Sequence, residues 1–146
     1  MLLRGKELPL RSDVAAIRDI FAPGGKLSRE IRDFEPRPQQ VQFAEEVLST
    51  LTDGGSLVIE AATGVGKSIG YLVPSVAVSL ATDSRVLVST NTKNLQEQLM
   101  DRDLPVLKKI FRGGFSAAAL KGRGNYLCLR KWNGLRGSAE DEKVRS

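Results

Sequence analysis

The sequence contains no histidine and a single cysteine. The missing histidine excludes Ser-His-Asp and Cys-His catalysis and histidine-ligated zinc for these residues. One thiol closes no internal disulfide, so nothing points to an oxidising compartment. Aromatic residues make up only 5% of the chain. No apolar run reaches the roughly 18–20 residues of a membrane span. The longest stretch, around Tyr71 to Ala81, is interrupted by Pro74 and by serines. No secretory leader is expected either, because Met1-Leu2-Leu3 runs straight into Arg4, Lys6 and Glu7 without an apolar core. What is present is 146 residues, 41% hydrophobic and 27% charged, which suits one soluble domain of ordinary size. The expected setting is cytoplasmic, with no membrane partner.

The charge is unevenly placed. Residues 1–120 carry 15 basic and 14 acidic side chains. Residues 121–136 carry Lys121, Arg123, Arg130, Lys131 and Arg136 and no acid. The last ten residues are slightly acidic. The positive excess therefore lies in one short stretch and points to a local anionic partner. Tyr126 and Trp132 interleave with these cations, a composition that suits phosphate neutralisation with base stacking. The plain alternative is a solvated charged face.

Periodicity supplies the elements. Ser12 is expected to cap a helix that repeats Val14, Ile17, Ile20 and Phe21 on one face and stops at Pro23-Gly24-Gly25. Ser28 is expected to cap a short turn through Phe34. A longer helix from Gln39 presents Val41, Ala44, Val47, Leu48 and Leu51, and Gly54-Gly55 closes it. Residues 56–60 (SLVIE), 85–90 (RVLVST) and 115–120 read as strands, with a tight loop at 61–66 and an apolar helix from Lys67. Asn94 to Asp103 reads as a helix with Leu95, Leu99 and Met100 inward, ended or kinked by Pro105. Strands alternating with helices imply an α/β fold with a parallel sheet.

The run Ala61-Ala62-Thr63-Gly64-Val65-Gly66-Lys67-Ser68 fits a phosphate-binding loop, with alanine where the common pattern opens on glycine. Gly64 and Gly66 allow the sharp turn that gathers backbone N–H groups onto one anion. The following helix adds its partial positive charge. Lys67 reaches the β- and γ-phosphates of ATP, and Ser68 offers a hydroxyl to Mg²⁺. The plain alternative is a glycine-rich strand-to-helix turn. No apolar strand downstream ends in the acid that completes such a Mg²⁺ site, so the residues present hold half of a hydrolytic centre.

Four segments, EPRPQQVQFAEEV (35–47), IEAATGVGKSIGYLVP (59–74), VLVSTNTKNLQEQL (86–99) and LKGRGNYLCLRK (120–131), together resemble the superfamily-two DNA helicases of the DinG/XPD iron–sulfur type, in family order and spacing. The resemblance implies a RecA-like P-loop NTPase fold, a parallel sheet flanked by helices, present here as the incomplete N-terminal part of motor domain 1. It divides the chain into a helical lead-in (1–34), a partial ATP-binding domain (35–120) and the start of an iron–sulfur insertion (121–146). It places Arg37 and Gln40 in the motif that recognises adenine, where the plain alternative is capping and surface roles. Thr90, Thr92 and Gln96 fall in a motif that touches single-stranded DNA backbone, although hydroxyls there also cap the following helix. Lys121, Arg123 and Tyr126 join them as expected DNA contacts.

Cys128 corresponds to the first thiolate of a 4Fe–4S cluster. Such a cluster needs four thiolates, and the other three would lie outside these residues. The implied activity is ATP hydrolysis coupled to 5′-to-3′ movement on single-stranded DNA, in a longer protein that acts as a monomer. The alternative kept beside it is a non-catalytic nucleotide- and nucleic-acid-binding fragment. A small P-loop phosphotransferase would need a lid of arginines over the phosphates and a complete site of its own.

Overall fold

The structure, a computed structural model, describes residues 13–62 and 64–144. Seven α-helices appear among them. α1 (Asp13–Phe21) and α2 (Lys26–Glu30) lead into α3 (Pro38–Asp53), which Pro38 opens from its first turn and Gly54 ends at φ 81°. α4 (Lys67–Thr82) starts directly at the glycine-rich loop. α5 (Lys93–Gln98) passes through a π-helical turn (Leu99–Asp103) into α6 (Leu104–Ile110). A 3₁₀ turn (Arg123–Asn125) precedes α7 (Leu129–Val144).

One apolar core joins the helices. α1 contributes Ile17, Ile20 and Phe21, α2 contributes Leu27, α3 contributes Ala44 and Leu48, and α4 contributes Ile69, Leu72 and Val73. Leu99, Leu107 and Ile110 close it from the other side. α3 and α4 share the most extensive contact. They approach so closely that a methyl group at Gly70 would stand 2.6 Å from the Phe43 ring. The 13–34 lead-in is built into the same core: α1 packs on α3, and α2 packs on α6. Exposed ion pairs mark the seams, Arg18 with Glu45 and Lys109 Nζ with Glu30 Oε2 at 3.2 Å. Such surface pairs add little to stability.

Three expectations need correction. Ser28 lies inside α2, whose N-cap is Gly25, and its hydroxyl donates to the Ala22 carbonyl at 3.2 Å. The cap expected at Ser12 lies outside the described residues. Pro105 does not end the α5–α6 run. It enters as the second residue of α6, and the turn before it widens to the π form. The reason is that proline lacks the N–H that would bond to the carbonyl four residues back, and its ring crowds that carbonyl.

The largest correction concerns the sheet. Residues 56–60, 85–90 and 115–120 are not helical, yet no strand forms among the described residues. The side-chain period of two survives. Leu57 and Ile59 are each 38% exposed while Val58 between them is 95% exposed. Val86 and Val88 are 38% and 37% exposed while Leu87 is 92% exposed. The segments at 56–60 and 85–90 thus turn one row of side chains toward the helices and the other to the outside, whereas 116–120 is exposed throughout. The ladder is what is missing. A strand exists by exchanging backbone hydrogen bonds with a neighbour, and open space flanks these segments. A cavity of about 380 Å³ lies between Leu57, Ile59 and the α3–α4 pair, and one of about 590 Å³ lies beside Val86–Asn91. Val47, Leu51 and Tyr71 line both.

Candidate nucleotide site and its neighbours

The extended segment through Ala62 delivers the chain to the loop, and α4 carries it away. Gly64 and Gly66 both take left-handed backbone angles, φ 82° and 76°, which side-chain-bearing residues adopt only with strain. Gly66 is the N-cap of α4, and no side chain caps that end. The first N–H groups of the helix are therefore left for an anion, beside the positive end of its dipole. Lys67 folds back over the loop, and its ammonium donates to the carbonyls of Ala61 and Ala62, each at 2.8 Å. Val65 is half-buried beneath the turn. Thr63 lies outside the described residues.

Arg37 and Gln40 clasp this loop from the first turn of α3. The Arg37 guanidinium donates to the Gly64 carbonyl and pairs with Glu35 at 3.6 Å. The Gln40 amide, only 4% exposed, donates to the Gly66 carbonyl at 2.8 Å. A methyl group on Gly66 would fall 2.0 Å from that amide nitrogen. The amide that the resemblance assigns to adenine is here engaged with the loop backbone. Glycine–glutamine packing of this kind leaves no periodic signal in a sequence.

Ser68 sits half-buried in the first turn of α4. Its hydroxyl favours the charged forms of two neighbours, the phenol of Tyr71 one turn along and the carboxyl of Asp103 in the π-helical turn. Burial raises the Asp103 carboxyl above its ordinary range, opposed by Gln98, Arg102 and Ser68. Burial likewise raises the Tyr71 phenol, against the Ser68 contact and with the Asp103 charge. The sequence reading missed Asp103; its only mark is the proline two residues on.

The expected DNA contacts fall into one neighbourhood, and all but Arg123 have side-chain hydrogen bonds within it. Thr92 caps α5 by accepting from the Leu95 N–H at 3.2 Å. The Thr90 hydroxyl accepts from the Thr92 N–H and donates to its carbonyl, both at 3.2 Å. Gln96 donates to the Leu120 carbonyl at 3.0 Å, and Lys121 pairs with Glu97 at 3.0 Å. The Tyr126 hydroxyl accepts from the Lys121 N–H at 2.8 Å. α5 and the 120–126 segment are thereby joined, with Arg123 exposed on the 3₁₀ turn.

The donor sets differ in what they fit. Ser68 offers one hard oxygen, suited to Mg²⁺ carried in on a nucleotide's phosphates. Among the described residues no group of three or more His, Cys, Asp or Glu forms a metal cage. Cys128 is a single exposed thiol, which does not fit a 4Fe–4S cluster by itself.

A glycine-rich loop presented at a helix N-terminus and clasped from a preceding helix is the arrangement a phosphate-binding loop requires. The DEAD/DEAH box helicase family model matches residues 37–126, and the chain belongs to that family. ATP-dependent DNA helicase YoaA of Haemophilus influenzae is 44% identical over 115 residues, which is 79% of this chain and 17% of that protein. ATP-dependent DNA helicase DinG of Escherichia coli is 42% identical over 111 residues, 75% of this chain and 15% of that protein. The chain thus spans only 15–17% of the length of these relatives. No helix among the described residues is long and apolar enough to cross a membrane.

Proposed function

We propose that the chain is the N-terminal ATP-binding portion of an ATP-dependent DNA helicase that couples ATP hydrolysis to 5′-to-3′ movement on single-stranded DNA in the cytoplasm. The observation that carries this reading is the loop itself: two left-handed glycines, an uncapped helix end and Lys67 within reach of the anion site. ATP entering would draw the Lys67 ammonium from the Ala61 and Ala62 carbonyls to the β- and γ-phosphates. Mg²⁺, when bound, neutralises the phosphate oxygens as charge develops. Ser68 would give it one hydroxyl oxygen, while Arg37 and Gln40 keep the loop's carbonyls turned away from the anion. Thr90, Thr92, Gln96, Lys121, Arg123 and Tyr126 would form the side facing DNA, with α5 placing them. A 4Fe–4S cluster using Cys128 belongs to this proposal only for a longer, monomeric protein, and no step here runs through it.

A second reading, a nucleotide- and nucleic-acid-binding module without turnover, is favoured by one feature. None of the extended segments after the loop ends in an acid beside Ser68. The test measures binding of ribose-labelled ATP and phosphate release, with and without single-stranded DNA. The chain should bind ATP–Mg²⁺ weakly and release negligible phosphate, and Lys67→Ala should abolish binding. DNA-stimulated turnover that Lys67→Ala removes would overturn the expectation of inactivity. Binding unchanged by Lys67→Ala would overturn the site.

A further inference from the structure

Two carbonyls of the glycine-rich loop are held from the start of α3. Arg37, the N-cap of that helix, donates to the Gly64 carbonyl, and Gln40 Nε2 donates to the Gly66 carbonyl at 2.8 Å. The Gly66 carbonyl also accepts the Gly70 N–H at 3.0 Å, so both of its lone pairs are taken. The approach is this close because the facing positions on α4 are glycines. A methyl group on Gly66 would stand 2.0 Å from Gln40 Nε2, and one on Gly70 would stand 2.6 Å from Phe43, one turn further along α3.

Holding a carbonyl also aims an N–H. Across a trans peptide the two groups of one plane point in opposite directions. With the Gly66 carbonyl drawn toward α3, the Lys67 N–H faces the other way. That N–H opens α4, and the leading donors of a helix have no partner inside it. A glycine at φ 76° restrains the peptide that follows it only weakly, since it has no Cβ to block rotation. The bond from Gln40 supplies that restraint. Donors fixed before an anion arrives need little reorganisation when it binds.

Reading a base makes other demands. An amide pairs with the adenine edge by presenting an N–H and its oxygen together to the approaching ring. Gln40 is 4% exposed, and one of its N–H groups is given to the loop. An amide covered to that degree has no open edge for a ring.

We propose that Gln40 is a positioning residue for the nucleotide's phosphates, fixing the Gly66–Lys67 peptide so that its N–H faces the anion, and that it leaves the base unread. The assignment rests on the reading of the loop as a nucleotide site, and Lys67→Ala separates the two.

The experiment uses the whole chain with Mg²⁺ and ATP labelled on its ribose, followed by fluorescence anisotropy. GTP and inorganic tripolyphosphate serve as competitors, the second having no base at all. Gln40→Met keeps the length and bulk of the side chain and removes the donor. It should weaken labelled ATP about tenfold, the scale of one hydrogen bond's net contribution, and weaken both competitors by the same factor. Measured well below the melting midpoint, a residue that only supports the fold would leave all three affinities unchanged. A second measurement needs no variant. In the unaltered chain with ATP–Mg²⁺ bound, nuclear Overhauser contacts should join the Gln40 amide protons to the Gly66 α-protons and not to the adenine ring.

A loss confined to ATP, with tripolyphosphate unaffected, would make Gln40 a base reader and overturn the assignment. So would full affinity in the folded variant, tripolyphosphate that fails to compete with the unaltered chain's ATP, or an amide that leaves Gly66 for the adenine. If Lys67→Ala binds labelled ATP like the unaltered chain, the nucleotide reading itself fails, and the assignment falls with it.

Discussion

The helical part of the molecule and its extended segments both carry apolar rows, yet only the first is closed. α1 to α4 and α6 satisfy their backbone groups internally and bury Phe21, Leu27, Leu48, Val73 and Leu107 almost completely. The segments at 56–60 and 85–90 keep the alternation of strands but hold Val58 and Leu87 outside. A helix closes its own hydrogen bonds within a few residues, whereas a strand borrows them from a neighbour. The phosphate loop lies at the junction of the two halves. It draws its rigidity from the helical side, through Arg37, Gln40 and Gly66.

The sharpest way to break this contrast is a matched pair of truncations. Leu107→Ala should cost about 2–5 kcal/mol by opening a hole in a filled core. Leu87→Thr should stay within about 0.5 kcal/mol, as substitutions on an open face do. Chemical denaturation of both reads the difference, and equal costs would remove the distinction between the halves.

Gly70→Ala probes the tightest helical contact. The added methyl would meet the Phe43 ring, which lines the cavity of about 380 Å³ and has room to tilt into it. A cost of about 1 kcal/mol is expected, at the low end of overpacking, and Phe43→Leu should relieve it. Thr92→Ala removes the cap of α5 and should cost a similar amount, about 1 kcal/mol. Because α5 holds the 120–126 segment through Gln96 and Glu97, hydrogen exchange in that segment should rise in the same variant.

The smallest effect expected is the pH dependence at Asp103. Its carboxyl is raised by burial, so the folded chain holds that proton more tightly than the unfolded chain. This contribution is complete below the ordinary carboxylate range and is lost as pH rises through the raised value. Melting curves of the unaltered chain and Asp103→Asn should therefore diverge in favour of the asparagine as pH climbs out of the acid range. A constant gap between them would show that the carboxyl feels no burial.

The loop was legible because its chemistry is local. Gly64 and Gly66 act through backbone angles alone, and both take the left-handed angles that the turn requires. α3 was legible in its bounds from Pro38 and Gly54, although its buried face includes Gln40, a polar residue that periodicity assigns outside. The role of Gln40 came from α3 lying across the loop, and no spacing in the sequence records that crossing. Asp103 was invisible for the same reason. It lies 35 positions from Ser68, in a π-helical turn, a response to Pro105, that packs against α4.

The sequence by itself determined α1, α3 and α4, the alternating rows at 56–60 and 85–90 and the glycine-rich turn, because each depends on residues a few positions apart. Only the tertiary structure decided which segments find hydrogen-bonding partners and which polar groups settle on the loop. Those outcomes depend on surfaces brought together across the chain. Pairing and burial energies are properties of two segments in contact, and neither segment carries them alone.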